Sequence, residues 1–333
     1  MHTLKGILFI LIFCALSLQA QTIHNGDASP VAEIVALGTG TTYKFKGLAI
    51  DVARQVAYLG SWNRKEIVTV SLAEKKFDVL KTPYNGKLNG MDCFLLDDKL
   101  YAVMNEVDDR AGAHPVSVLL ILNARTGKLI RTYEAKAPTG RNHFNHLVVG
   151  RTGIAYITNT LKSSVQYVDT NNPLDSIKTL VVHPDLSWVH GIDLSPDEKK
   201  LFTTSYDGGI KFFDLDKMSF TPYRDVTLAG DDGLKFYNGY LYGVGRNSIK
   251  RYSLDADLSR VTRVDTLLRS HEVFNDARCL HIEGGWLYCL ANIEHDPVVF
   301  EQPNAVSRKE PLNDSYIIKL KLPAIIKKES PVR

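Results

Sequence analysis

The chain has 333 residues, 44% of them hydrophobic and 23% charged, an ordinary globular composition with room for a large core. Its 40 basic and 37 acidic residues leave a net charge of +3 without a concentrated basic stripe. That balance gives no electrostatic basis for nucleic-acid binding.

Residues 1–20 read as a signal peptide: Lys5 is the positive start, Ile7 to Leu18 the apolar stretch, and Ala20 the small residue before the cut. The apolar stretch is shorter than the roughly 20 residues that span a bilayer. The expected location of the mature chain is therefore secreted or periplasmic, with no membrane span. Next comes Val31 to Leu37, an apolar-rich segment suited to a strand.

From Lys46 onward one unit recurs. Each copy opens on a polar residue and a short apolar strand: Lys46-Gly47-Leu48, Asn89-Gly90-Met91, Asn145-His146-Leu147, His190-Gly191-Ile192, Asp232-Gly233-Leu234 and Asn275-Asp276-Ala277. These starts lie 42 to 56 residues apart. A second strand in each copy carries an aromatic at a matching place: Tyr58, Tyr101, Tyr156, Phe202, Tyr242 and Tyr288. Turn signals such as Asp97-Asp98, Ser195-Pro196-Asp197 and Asn238-Gly239 separate the two strands. Repeats of this length, all strand and without helical periodicity, predict an all-β, six-bladed β-propeller. The segment Val31–Leu37 supplies a fourth strand to the last blade and closes the ring. One propeller domain is expected over residues 21–322, followed by a basic tail, 323–333, with Lys327, Lys328 and Arg333.

The first strand of a propeller blade lines the central channel. The six opening residues Lys46, Asn89, Asn145, His190, Asp232 and Asn275 are thus expected to form a polar ring at one mouth, a small-molecule site pattern. Two long connections, Asn105–Pro115 with Glu106, Asp108, Asp109 and His114, and Asn292–Asn313, are expected to wall that mouth. His143 and His146 are spaced to point to opposite faces of a strand, one at the channel edge and one packed. Cys279 and Cys289 flank a hairpin at Glu283-Gly284-Gly285. A three-residue loop pairing Ile282 with Trp286 would set the two sulfurs opposite each other; a two-residue loop would put them on opposite faces.

The stretch Phe144-Asn145-His146-Leu147-Val148-Val149-Gly150 through Thr158-Asn159, with His190-Gly191-Ile192-Asp193-Leu194-Ser195-Pro196-Asp197 and Asp232-Gly233-Leu234, resembles the senescence-marker-protein/gluconolactonase family and its paraoxonase relatives. The resemblance covers the mature chain blade by blade, on short motifs shared by many propellers. It implies a divalent cation, calcium or zinc, in the channel mouth and hydrolysis of sugar lactones or aryl esters. Of the family's metal positions, Asn145 and Asp232 match, while Lys46 stands for a Glu and His190 for an Asn. Calcium takes six to eight oxygens. A Lys ammonium about 6 Å from a dication would repel it by roughly 5 kcal/mol at an effective dielectric of about 20. The metal positions are accordingly Asn145 and Asp232, against the charge of Lys46.

Asp232 is the implied general base. From the residues themselves, His190 is a second base and Lys46 a cation that pairs with Asp232 and polarises a carbonyl. Asn89, Asn145 and Asn275 are the ligand-binding amides. The expected function is a secreted hydrolase of a small lactone or ester, and the alternative is a non-catalytic propeller binding a small ligand or a protein partner on the same face.

Overall fold

The computed structural model describes residues 31–37, 43–106, 115–136, 141–221, 228, 230–245, 248–269, 277–291 and 315–323. The strand β1 (Val31–Ala36) comes first in the chain. Blade 1 is β2 (Ala49–Asp51), β3 (Val56–Ser61), β4 (Glu66–Ser71) and β5 (Phe77–Leu80). Blade 2 is β6 (Asn89–Leu96), β7 (Lys99–Asn105), β8 (Val116–Asn123) and β9 (Leu129–Lys136). Blade 3 is β10 (Phe144–Val149), β11 (Ile154–Asn159), β12 (Ser164–Asp169) and β13 (Lys178–Val182). Blade 4 is β14 (Val189–Leu194), β15 (Lys200–Ser205), β16 (Gly209–Asp214) and β17 (Ser219–Thr221). Blade 5 is β18 (Asp231–Tyr237), β19 (Tyr240–Gly245), β20 (Ser248–Leu254) and β21 (Val261–Arg269). Blade 6 is β22 (Cys279–Glu283), β23 (Trp286–Ala291) and β24 (Tyr316–Lys321). Six antiparallel four-stranded sheets form a ring, the six-bladed β-propeller that the repeat predicts.

The sixth sheet runs β1-β24-β23-β22, so the N-terminal strand completes the last blade. Ile34 lies opposite Ile318 and Ala36 opposite Tyr316, and the Leu37 amide donates to the Ser315 carbonyl at 2.9 Å. Val35 and Leu37 then pack with Ile317, Tyr288, Phe45 and Leu48, joining blade 6 to blade 1. Corresponding apolar clusters fill the seams between blades 1 and 2, 2 and 3, 3 and 4, 4 and 5, and 5 and 6. Burial of these seams, at about 25 cal/mol per Å² of apolar surface, is the main force holding the ring.

The repeated aromatics work as wedges in these seams. Tyr58, Tyr101, Phe202 and Tyr242 are almost wholly buried, and Phe202 stacks on Phe236 of the next blade with ring centroids 5.6 Å apart. Tyr58 also donates its hydroxyl to the Ala124 carbonyl of blade 2 at 2.8 Å. Because Tyr58 is 1% exposed, Tyr58→Phe leaves that carbonyl unpaired. A loss of about 1 kcal/mol in chemical denaturation is expected.

The hairpin between β22 and β23 resolves the cysteine alternatives. Glu283 pairs with Trp286, so the loop is the two residues Gly284 and Gly285, both at positive φ (59° and 78°) as a tight primed turn requires. Cys279 therefore faces the blade 6–blade 1 seam and Cys289 the opposite one. Cys93, Cys279 and Cys289 are all free and buried. Among the described residues no helix is long and apolar enough to cross a membrane. The signal-peptide segment, Asn275, the basic tail beyond Pro323 and nearly all of both long connections lie outside the described residues.

Candidate functional site

The inner strands crowd around the axis, and their first residues carry a shared irregularity. The pairing register shifts between Gly90 and Asp92, between Phe144 and Leu147, between Val189 and Ile192, and between Asp231 and Gly233. A bulge inserts one unpaired residue and re-aims the side chains beside it. Four blades thus turn polar groups inward at the same level.

His190, on β14, and Asp232, on β18, meet there: His190 Nδ1 is 2.9 Å from Asp232 Oδ1. Asn145, on β10, joins them, its Nδ2 lying 2.9 Å from His190 Nδ1 and donating to Thr160 Oγ1 at 3.0 Å. Asn145, His190 and Asp232 thus come together from three consecutive blades, and all three are buried. Lys46 and Asn89 sit on a neighbouring stretch of the ring, around Trp62. The Lys46 ammonium lies 5.3 Å from the centre of the Trp62 ring, and Asn89 Nδ2 donates to the Trp62 carbonyl at 2.8 Å. The buried Asn89 Oδ1 has no hydrogen-bond partner among the described residues. Asp231, one residue from the ring, is spent inside its own blade on Lys250 at 2.9 Å and on the Tyr252 hydroxyl.

Three site residues were not read from the sequence. Arg278, just before β22, donates from Nη1 to Asp232 Oδ2 at 2.6 Å, both groups being nearly inaccessible. It is a cation paired with Asp232. His146 Nε2 reaches Asp232 Oδ1 at 3.1 Å, and its Nδ1 reaches Asp92 Oδ2 at 3.2 Å. The bulge between Phe144 and Leu147 breaks strict alternation, so the sequence neighbours Asn145 and His146 both reach the same pair, Asn145 at His190 and His146 at Asp232. A signal was present in the repeat. Four blades have glycine after the polar residue, at Gly47, Gly90, Gly191 and Gly233, and blade 3 has His146 instead. Asp92, on β6, is fixed by the Leu147 amide, which donates to Oδ2 at 3.2 Å.

The charges are set by burial and by neighbours. Burial alone would raise the Asp232 carboxyl, but His190, Arg278 and the bond from His146 hold it well below the usual range. Burial pulls His190 down against the opposing pull of Asp232, aided by the positive charges of Lys46 and His146. Burial opposes charge on His146 too, yet Asp92 and Asp232 outweigh it and raise this histidine to about 9. His143, 5.9 Å from the Trp62 ring, is pushed well down by burial and then by Lys46.

Calcium does not fit this donor set. Of the four positions carried over by resemblance, Asn145 and Asp232 offer oxygen, while His190 offers nitrogen and Lys46 an ammonium. Arg278 holds the second oxygen of Asp232. A hard cation that needs six to eight oxygens is poorly served here. Two triads of nitrogen, oxygen and sulfur atoms do lie close enough to hold an ion: His146, His190 and Asp232, and Asp92, His146 and Cys279.

Fold and mouth together define a six-bladed propeller with a buried histidine–carboxylate centre on its axis. No family model and no curated protein matches the sequence. Among solved structures the chain is similar to a luciferin-regenerating enzyme, with a TM-score of 0.59 at 12% identity over 88% of this chain and 97% of that one. It is similar to the calcium-binding protein regucalcin of Agrobacterium tumefaciens, with a TM-score of 0.56 at 16% identity over 86% and 94%. The major allergen Mala s 1 of Malassezia sympodialis gives 0.61 at 15% identity over 88% and 97%. At these identities the likeness is one of fold.

Proposed function

We propose that the chain is an exported hydrolase of a small lactone or ester, with its reaction centre at Asp232 and His190. The observation that supports this reading is the 2.9 Å contact between a carboxyl held well below its usual range and an imidazole that burial pulls down. Such a pair has a place for one proton between its two atoms. Water gives up that proton as its oxygen adds to the substrate carbonyl carbon. The carbonyl oxygen, now negative, is balanced by the Lys46 ammonium at the same mouth. When the acyl C–O bond breaks, the leaving alkoxide takes the proton back. Asn89, with its spare carbonyl oxygen, Asn145 and Asn275 are assigned to ligand binding. That the same fold includes an enzyme named for regenerating luciferin is consistent with this reading.

A panel of lactones and aryl esters tests it. Asp232→Ala and His190→Gln are each expected to lower kcat by at least about 100-fold, the range for loss of general acid–base catalysis. Because the two residues act as one unit, the double variant should fall little further than either single one. Turnover that survives Asp232→Ala removes the mechanism. One observation favours the second reading, a non-catalytic binding module: Asp232 is already occupied by Arg278, His146 and His190. Absence of turnover across the panel, with a ligand-dependent rise in Tm, would establish it.

A further inference from the structure

Asp232 is gripped from several sides. Its Oδ2 accepts from Arg278 Nη1 at 2.6 Å. A carboxylate oxygen has two lone-pair sites. On Oδ1 one of them faces His146 Nε2 at 3.1 Å and the other faces His190 Nδ1 at 2.9 Å. His146 therefore sets where the remaining site on Oδ1 points, and it points at His190.

The far nitrogen of His146 is held as closely. Its Nδ1 lies 3.2 Å from Asp92 Oδ2, and the Leu147 amide donates to that same oxygen at 3.2 Å. A carboxylate is an acceptor, so each ring nitrogen of His146 donates, one to Asp92 and one to Asp232. The His146 backbone is fixed as well, its amide donating to Thr158 Oγ1 at 3.0 Å. With both ring protons spent and the side chain buried, His146 acts on Asp232 and not on a substrate.

These bonds cross the channel. Asp92 belongs to blade 2, His146 to blade 3 and Asp232 to blade 5. Blades 2 and 5 are not neighbours in the ring, so His146 ties Asp232 to the opposite wall. Where blades 1, 2, 4 and 5 have glycine, a Cβ would fall within 2.8 Å of neighbouring backbone, and blade 3 gives that place to an imidazole.

We propose that Asp92 and His146 are positioning residues for the hydrolysis assigned to Asp232 and His190, an inference that rests on that reading. Together they form a strut across the axis that holds Asp232 Oδ1 at His190. The proton from water then has a fixed place to go, and the pair needs no rearrangement as it arrives. Without the strut the carboxylate turns about its own bond, and a displacement of about 1 Å at a reacting group costs about 100-fold in rate.

Kinetics on the lactone and ester panel, with crystal structures of the same variants, test this role. Asp92→Ala and His146→Gln are each expected to lower kcat by about 100-fold with KM within about 3-fold. Glutamine fails because its amide has N–H on one side and oxygen on the other, and cannot donate to both carboxylates. Asp92→Asn, whose amide oxygen can take the Leu147 and His146 bonds together, should stay within about 10-fold of wild type. A purely structural role would lower Tm and leave the kcat of folded protein unchanged. In crystals of Asp92→Ala and His146→Gln the distance from Asp232 Oδ1 to His190 Nδ1 should exceed about 3.5 Å, and in Asp92→Asn it should match wild type. Neutron diffraction from wild-type crystals, which needs no variant to fold, should place deuterium on both ring nitrogens of His146. Wild-type kcat in Asp92→Ala or His146→Gln, a loss confined to KM, an unmoved Asp232–His190 contact in those variants or a bare ring nitrogen on His146 would each overturn the proposal and leave the hydrolase reading standing. A wild type that turns over nothing on the panel removes the hydrolase reading instead, and the crystal distances then decide whether Asp92 and His146 position the contact.

Discussion

Arg278→Met is expected to lower the free energy of unfolding by about 3–5 kcal/mol, read from urea denaturation followed by tryptophan fluorescence. Arg278 and Asp232 are 3% and 2% exposed, and their contact is 2.6 Å. Methionine fills the volume of the arginine stem but removes the charge, leaving a buried carboxylate with less to balance it. Most of the expected loss is the desolvation of Asp232, not the worth of the pair itself. The double variant Arg278→Met, Asp232→Asn should therefore regain a large part of the loss, because the amide carries no charge to strand. If Arg278→Met unfolds within about 1 kcal/mol of wild type, Asp232 is balanced by other groups and Arg278 is not its principal counter-ion. The centre matters to the ring as well as to chemistry, since Arg278 and Asp232 join blade 6 to blade 5 at the axis.

What the sequence makes legible is what repeats. Six aromatics at matching places and five polar–apolar starts that the structure describes announce the blades, because each blade faces the same packing problem. The strand Val31–Ala36 is legible for a related reason: a ring of six sheets with one strand missing has a single place for it. The site is legible only where it follows the repeat. Asn145, His190 and Asp232, each the second residue of its strand, meet one another, whereas Lys46 and Asn89 lie against Trp62. His146 and Asp92 lie beside bulges, and a bulge shifts side-chain direction without changing the composition of the strand around it. Arg278 precedes its strand by one residue and pairs across a blade boundary, a long-range relation for which local pattern has no sign. Calcium is poorly served by the same residues, because His190 offers nitrogen and Lys46 an ammonium at two of the four positions where the resemblance implies oxygen donors.

The glycine that follows the polar residue explains how the ring holds its chemistry in register, and it gives the second large effect. A Cβ on Gly191 would lie 2.5 Å from the Asp232 carbonyl oxygen, 2.7 Å from the Leu234 nitrogen and 2.9 Å from the Gly233 carbonyl carbon. All three are backbone atoms of β18, which cannot swing aside as a side chain can. Gly47 meets Asp92 Cα at 2.5 Å and Gly233 meets the Arg278 carbonyl at 2.8 Å, so inner strands touch backbone to backbone at several blade boundaries. Gly191→Val is accordingly expected to destabilise the protein by about 3 kcal/mol or more, at the upper end of overpacking effects. Gly208→Ala is the control: its new Cβ would meet first the far end of Lys211 at 2.7 Å, a flexible group that can give way, and the loss should stay near 1 kcal/mol. The same displacement of β18 moves Asp232 away from His190, so whatever Gly191→Val protein remains folded should also lose turnover. Retention of full stability would mean that blades 4 and 5 can part at the axis. The 2.9 Å contact between His190 and Asp232 would then owe nothing to the close approach of their strands.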